Sequence, residues 1–150
     1  MILAGLRRSP KDHWLLARLA LAHYEQREYA TALKFGLKAA DLAPYCPLVL
    51  WEVAGAMDML EEGSAALRVY RKITRKSLAD LANGPCGEGL LRARGLLADV
   101  YYRIGRIHDR HQRPHRAIAA FEKALSWRSE RATCIYDRRE IQARLRRLRA

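Results

Sequence analysis

The sequence contains few of the residues on which small β-proteins and disulfide-rich domains depend. Among its 150 residues are 9 glycines, 5 prolines and 3 cysteines, and aromatic residues make up 8%. A β-sandwich or barrel would need many more turn residues and β-branched residues. Half of the residues are hydrophobic, and Ala and Leu, which favour helices, account for most of that half. The composition therefore predicts a helical domain.

The cysteines are too few and too far apart for a structural framework. Cys46, Cys86 and Cys134 form no CxxC pair and are odd in number, so they indicate neither a disulfide scaffold nor a zinc site. Free thiols fit a reducing compartment. The N-terminal apolar run is too short for a signal peptide, and the apolar stretch 47–60 is too short to span a bilayer. We expect a soluble, cytoplasmic protein.

Motifs that would indicate enzyme chemistry are also missing from the sequence. It contains no GxxxxGK[ST] and no GxGxxG loop, and Asp99 and Asp109 are too far apart to share one close helix face. The histidine-rich run at 108–115 contains a proline before its last histidine, and a metal site needs three or four convergent ligands. We expect no enzymatic activity, no cofactor and no metal.

The charge is strongly basic. The formal net charge is +12, and most of the basic residues are arginine. Such a balance favours nucleic acid, anionic lipid or acidic proteins as partners. A solvated arginine-rich surface without a specific partner explains the charge equally well.

The sequence does contain an internal repeat. The interval from Pro10 to Pro44 is the length of one repeat, which we call the period. The segments between such markers have apolar residues at spacings of three and four, as in amphipathic helices. A shift by one period also aligns Leu16 with Leu50, Leu19 with Val53, Ala20 with Ala54, Ala32 with Ala66, and Leu33 with Leu67. The pattern predicts repeated pairs of helices.

These residues resemble the tetratricopeptide repeat family. The first unit carries the resemblance through Trp14, Leu19, Ala20, Tyr24, Tyr29, Ala32, Ala39 and Pro44. The second carries it through Leu50, Val53, Ala54, Leu60, Ala66, Tyr70 and Ile73, and the third through Tyr101, Ile104, Gly105, Ala117, Phe121, Ala124 and Leu125. The resemblance implies an all-α, right-handed α-solenoid in which neighbouring repeats bury each other's apolar faces.

The repeats are predicted to form a single domain over residues 1–150. A partial repeat helix covers 1–10, and three repeats cover 13–46, 47–82 and 87–128. The interval from Ala66 to Ala117 is one and a half periods, so half a period is left over. We interpret the surplus as an extended helical hairpin, in which the helix capped by Ser64 runs to about Ala82. A separate short helix is the alternative. Residues 133–149 are predicted to form a capping helix.

The resemblance also implies a binding groove lined by the first helix of each repeat. The residues expected to line the groove are Trp14, Ala17, Leu21, Tyr24, Leu48, Trp51, Met59, Tyr102, Arg106 and Arg110. Relatives that hold the carboxylate tails of heat-shock chaperones use Lys, Asn and Arg residues there, whereas Ala17, Leu21 and Glu52 occupy the corresponding places here. Chaperone-tail binding is therefore not expected.

Two functions remain open at this point. The first is a non-enzymatic interaction module or scaffold that holds a segment of another protein in the groove. The alternative is RNA or DNA binding through the C-terminal arginines, which would neutralise phosphates. The arginines concerned are Arg138, Arg139, Arg144, Arg146, Arg147 and Arg149.

Overall fold

The described part of the chain is built from helices. The computed structural model describes residues 12–128 and 134–150, and no strand forms within these ranges. The predicted partial repeat helix at 1–10 lies outside the described residues. The helices are α1 (His13–Glu25), α2 (Tyr29–Leu42), α3 (Pro47–Met59), α4 (Gly63–Thr74), α5 (Leu78–Asn83), α6 (Leu90–Arg110), α7 (Pro114–Trp127) and α8 (Arg138–Arg149). The predicted all-α class is confirmed.

None of these helices combines the length and the apolar character that a bilayer crossing requires. The chain divides into two compact units, Met1–Ile73 and Thr74–Ala150.

In the first unit, α1 contacts α2 and α3, and α2 contacts α3. The carboxylate of Asp12 begins α1 by accepting the backbone N–H of Trp14 at 2.9 Å, which satisfies one of the free donors of a helix N-terminus. At Gly36 on α2, an added Cβ would lie 3.1 Å from Cγ2 of Val53 on α3. The glycine therefore allows a close approach of α2 and α3.

The same turn joins the two helices of each of three pairs. Arg27, Glu61 and Gln112 have positive φ angles of 63°, 64° and 56°. Each donates its N–H to the carbonyl three residues earlier at 2.9–3.0 Å, and the next residue donates to the carbonyl five residues earlier at 2.9 Å. Glu61 follows Arg27 by one period, and Gln112 follows Glu61 by one and a half periods. The backbone thus repeats with the same period, and with the same extra half period, as the sequence.

The prediction that the helix after Glu61 continues to Ala82 is wrong. That helix, α4, ends at Thr74, and the Ser77 hydroxyl accepts the N–H of Asp80 at 3.1 Å to begin the separate helix α5. The alternative of a short separate helix is therefore the one that forms. Ser64 is not an N-cap either, because α4 begins one residue before it.

In the second unit, α6 contacts α5 and α7, and α7 contacts α8. Helix α6 has 21 residues and starts after Gly89, whose φ of 93° suits glycine. Helix α8 begins at Arg138, so Cys134–Asp137 are not helical, and the prediction that they belong to the capping helix is wrong. The buried core that α6, α7 and α8 share consists of Tyr102, Ala117, Phe121, Ala124, Ile141 and Leu145.

Candidate functional site

The first candidate surface lies on α1 and α3 in the first unit. Trp14 is 41% exposed and Met59 is 40% exposed, so both side chains are available to a partner. Leu21, Tyr24, Leu48 and Trp51 are partly buried. Ala17 is buried, because it belongs to the packed side of α1, and it cannot line an open groove as predicted.

Glu52 gives this part of α3 an unusual acid group. Burial raises the pKa of Glu52 from 4.5 to about 8. Its Oε2 atom is buried and has no hydrogen-bond partner among the described residues. At neutral pH the carboxyl group is therefore largely protonated, so it can donate a hydrogen bond.

The second candidate surface, on α6, is covered. Tyr102 was predicted to line the groove, but it is fully buried in the core of the second unit. That prediction is wrong for Tyr102, because residues from the C-terminal part of the chain lie against it. Arg106 is partly buried with its guanidinium 5.9 Å from the centre of the Tyr102 ring, whereas Arg110 is exposed at the end of α6.

Cys134–Asp137 supply part of this cover, and we call these four residues the linker segment. The backbone N–H of Ile135 donates to both carboxylate oxygens of Asp99, at 3.0 and 3.3 Å. The ring of Tyr136 lies 3.9 Å from that of Tyr102, centre to centre. Arg103 donates from Nε to the Tyr136 hydroxyl at 3.1 Å. The linker segment thus meets three neighbouring side chains of α6.

Asp99, like Glu52, has a pKa that burial raises. It is buried, and burial raises the pKa of Asp99 from 3.8 to about 6. The hydrogen bond from Ile135 and the nearby charges of Arg103 and Arg128 lower the pKa but do not overcome the loss of water.

Helix α8 adds contacts to Tyr102 and Asp109 of α6. The Tyr102 hydroxyl donates to Glu140, and Arg144 donates from Nε to the same hydroxyl at 3.1 Å. Burial, followed by the bond to Glu140, raises the pKa of Tyr102 to about 12. Asp109 forms ion pairs with Arg147 and, at 3.7 Å, with Nη1 of Arg144.

The predicted anion-binding arginines are therefore not equivalent. Arg144 and Arg147 pair with acidic groups of the same unit as described above, and Arg149 pairs with Glu122. Three exposed arginines of α8 have no acidic partner among the described residues, namely Arg138, Arg139 and Arg146. Only the pair of Arg144 with Glu140, four residues earlier on α8, is visible in the sequence, because Asp109 and Glu122 lie on other helices.

A family model described as Tetratricopeptide repeat matches residues 98–131, which include most of α6 and all of α7. Residues 98–131 are therefore similar to a tetratricopeptide repeat. This match covers one repeat, and the turns at Arg27 and Glu61 show the same backbone geometry in two further helix pairs. A search of curated protein sequences finds no significant match.

Solved structures show the same tetratricopeptide fold at low sequence identity. The first repeat domain of Spaghetti (RPAP3), bound to the HSP90 peptide SRMEEVD, is 20% identical with a TM-score of 0.68, over 94% of this chain and 92% of that chain. YrrB, described as a TPR protein with an unusual peptide-binding site, is 14% identical with a TM-score of 0.70, over 96% of this chain. MamA is 20% identical with a TM-score of 0.65, over 85% of this chain. The chain spans 62% of the YrrB chain and 64% of the MamA chain.

Proposed function

We propose that the chain is a non-enzymatic interaction module that binds a segment of a partner protein on the α1–α3 surface. The observation that carries the proposal is the exposure of Trp14 and Met59 on the two helices predicted to line the groove. Large exposed apolar side chains on a rigid scaffold are typical of binding surfaces, and tryptophan is frequent among residues that dominate binding energy. Two of the similar structures are described by their peptide or peptide-binding site.

The partner segment proposed for this surface is apolar rather than a carboxylate tail. Ala17 and Leu21 occupy places where tail-binding relatives have basic or amide side chains, and neither can attract an anion. The third place holds Glu52, whose raised pKa leaves it neutral near pH 7 and negative above pH 8. A ligand carboxylate beside it would meet either no charge or a like charge. The segment we propose therefore inserts apolar or aromatic side chains beside Trp14.

The remaining parts of the proposal concern the domain organisation, the lack of enzymatic activity and the cellular location. The repeats at 13–46, 47–82 and 87–128, with the cap shortened to α8, stay the proposed organisation of one domain, supported by the recurrent turn. The module is proposed to lack enzymatic activity, because the repeat architecture creates surface rather than a catalytic cleft. A cytoplasmic location is proposed from the three free cysteines, of which Cys46 is buried.

RNA or DNA binding through α8 is the second candidate. It is favoured by Arg138, Arg139 and Arg146, which are exposed and lack acidic partners among the described residues. Three arginines can neutralise only a few phosphates, and the remaining arginines of α8 are held by acidic side chains. The charge available for nucleic acid is thus smaller than the sequence indicates.

The test is selection of ligands for the full chain from a random displayed peptide library. Selected peptides are then titrated by fluorescence anisotropy against the wild type, Trp14→Ala and Leu37→Ala. Leu37 is a matched control, since it is 43% exposed but lies on α2. We expect Trp14→Ala to weaken binding about tenfold or more, as hot-spot residues do, and Leu37→Ala to leave it unchanged.

Melting curves and an RNA oligonucleotide complete the experiment. Trp14→Ala should melt close to the wild type, because Trp14 lies at the surface with 41% of its area exposed. If melting collapses instead, Trp14 belongs to the core and the proposed surface is wrong. If no peptide is selected, while the oligonucleotide binds and is lost in the triple variant of Arg138, Arg139 and Arg146 to Ala, the nucleic-acid candidate replaces the proposal.

A further inference from the structure

The linker segment is held against α6 through its main chain, as a bound peptide often is. Asp99 takes a backbone N–H of the linker segment, and Arg128 donates to the backbone carbonyl of Tyr136. Main-chain groups are common to every peptide, so contacts of this kind hold a segment without reading its sequence. The Ile135 side chain is 59% exposed and takes no part.

One side chain of the linker segment anchors it. The Tyr136 ring packs on Tyr102, and its hydroxyl accepts a hydrogen bond from Arg103. A single aromatic anchor combined with main-chain contacts is how short peptides are often held. The α6 face therefore has the chemistry to accept a tyrosine within a non-helical stretch of chain.

The linker segment and α8 are held in different ways. Ile141 and Leu145 of α8 are buried in the apolar core of the second unit, so removing α8 would expose apolar surface. The linker segment contributes mainly polar contacts and one partly buried ring. Tyr136 packs against the edge of that same core, but no residue of the linker segment is buried within it, so displacing the linker segment would expose less apolar surface than removing α8.

We propose that this face of α6 is a peptide-binding surface that the chain's own linker segment keeps occupied, and that a partner peptide with a tyrosine in a non-helical stretch takes the same place. The proposal rests on the proposed function, since it assumes that the repeats bind peptides, and it adds that the second unit is closed to partners until Tyr136 leaves. A tethered segment competes at an effective concentration on the order of 1 mM, so a free peptide binds only when the tethered copy is weakened.

The test uses the full chain and a labelled, N-acetylated peptide that copies residues 134–140 with Cys134→Ser. Tyr136→Ala in the chain weakens the tethered copy and leaves Asp99, Tyr102 and Arg103 in place. We expect this variant to bind the peptide at least about tenfold more tightly than the wild type. Ile135→Ala is the matched control and should bind like the wild type, because that side chain is exposed.

Further arms show whether the peptide occupies the α6 face. A peptide that also carries Tyr136→Ala should not bind, and adding Asp99→Ala to the Tyr136→Ala chain should abolish binding. A folded Tyr136→Ala chain that binds the peptide no better than Ile135→Ala overturns the proposal. If Tyr136→Ala does not fold, Tyr136→Phe replaces it, since it loses only the bond to Arg103, and binding equal to the wild type overturns the proposal as well.

This result is independent of the α1–α3 surface. Trp14→Ala, added to the Tyr136→Ala chain, should leave the affinity for the residue 134–140 peptide unchanged. Failure of the library selection on the wild type would refute the proposed function of the first unit, whereas failure of this titration would refute only the closed surface on α6.

Discussion

Replacing Gly105 with alanine should destabilise the chain, because the new methyl group has no room against Phe121. An added Cβ would lie 2.6 Å from Cε1, 2.7 Å from Cδ1 and 3.0 Å from Cζ of the phenylalanine ring. Carbon atoms in good contact are about 3.5–4.0 Å apart, so the ring would have to move by about 1 Å. Phe121 is fully buried beside Tyr102, with ring centres 5.7 Å apart, so its ring can move only by displacing other core side chains.

Two opposing effects determine how much Gly105→Ala changes the free energy of unfolding. Alanine is better than glycine in a helix interior by about 1 kcal/mol. Forcing an extra methyl group into a packed core costs about 1–3 kcal/mol, sometimes more. Since the clash at Gly105 involves three ring atoms, we expect the core effect to win and the free energy of unfolding to fall by about 1–2 kcal/mol.

Gly36→Ala is the matched control for this prediction. Its added Cβ would meet one methyl carbon, Cγ2 of Val53, at 3.1 Å, so a shift of a few tenths of an ångström suffices. The helix gain should then offset the strain, and the change should stay within about 1 kcal/mol of zero.

Urea unfolding of the full chain, followed by circular dichroism, measures both variants. Phe121→Leu supplies a double-mutant cycle, because a smaller side chain makes room for the methyl group. Phe121→Leu should therefore cost less in the Gly105→Ala background than in the wild type, with a coupling above about 0.5 kcal/mol. A Gly105→Ala chain as stable as the wild type, or a coupling of zero, would show that the close approach of α6 and α7 is not the constraint.

Three further predictions concern acid groups, turns and the cap. The raised pKa of Glu52 means that the folded state holds its proton more tightly than the unfolded state, so the free energy of unfolding should fall as pH rises from 4.5 to 8. Asp99 contributes in the same way below its pKa of about 6, so in pH-stepped urea titrations Glu52→Gln should remove the fall between pH 6 and 8. Glu61→Gly should be nearly neutral because glycine tolerates positive φ, whereas Glu61→Val should lose about 1–2 kcal/mol in thermal unfolding; equal stability of the two would contradict the left-handed turn. Ile141→Ser should expose the end of the second unit and cause self-association in light scattering, whereas Arg146→Ala should stay monomeric; a monomeric Ile141→Ser would show that α8 is not a cap.

The repeat could be predicted from sequence because its signals are local and recur. The spacing of apolar residues indicated the helices, and the period, together with the extra half period, reappears in the turns at Arg27, Glu61 and Gln112. The turn conformation itself could not be predicted, because none of the three is glycine or asparagine, the residues that usually mark a left-handed turn.

Two kinds of prediction failed: those that depend on whether a helix continues or a new one starts, and those that depend on contacts between residues far apart in the sequence. The predicted continuous helix to Ala82 does not form because Ser77 caps a new helix. The spacing of apolar residues alone does not reveal whether one helix continues or a second one starts. Tyr102 was misplaced because its cover comes from Tyr136 and Arg144, which lie a full repeat or more later in the chain. Such contacts leave no periodic signal near Tyr102. The groove positions on α1 and α3 remain predictions.

The contact between Asp99 and Ile135 also has a consequence for the nascent chain. The two residues are 36 positions apart, whereas the helix pairs close through turns of a few residues. At a synthesis rate of about 5–20 residues per second, Ile135 follows Asp99 after about 2–7 s. Helix pairs form on a far shorter timescale. The α6–α7 pair, however, is complete only when Trp127 has been made, so only the time needed to add the residues from Trp127 to Ile135, about 0.4–1.6 s, separates the finished pair from its cover. During that time the α6 face, with Tyr102 and Arg103, is open to other molecules before the chain's own tyrosine reaches it.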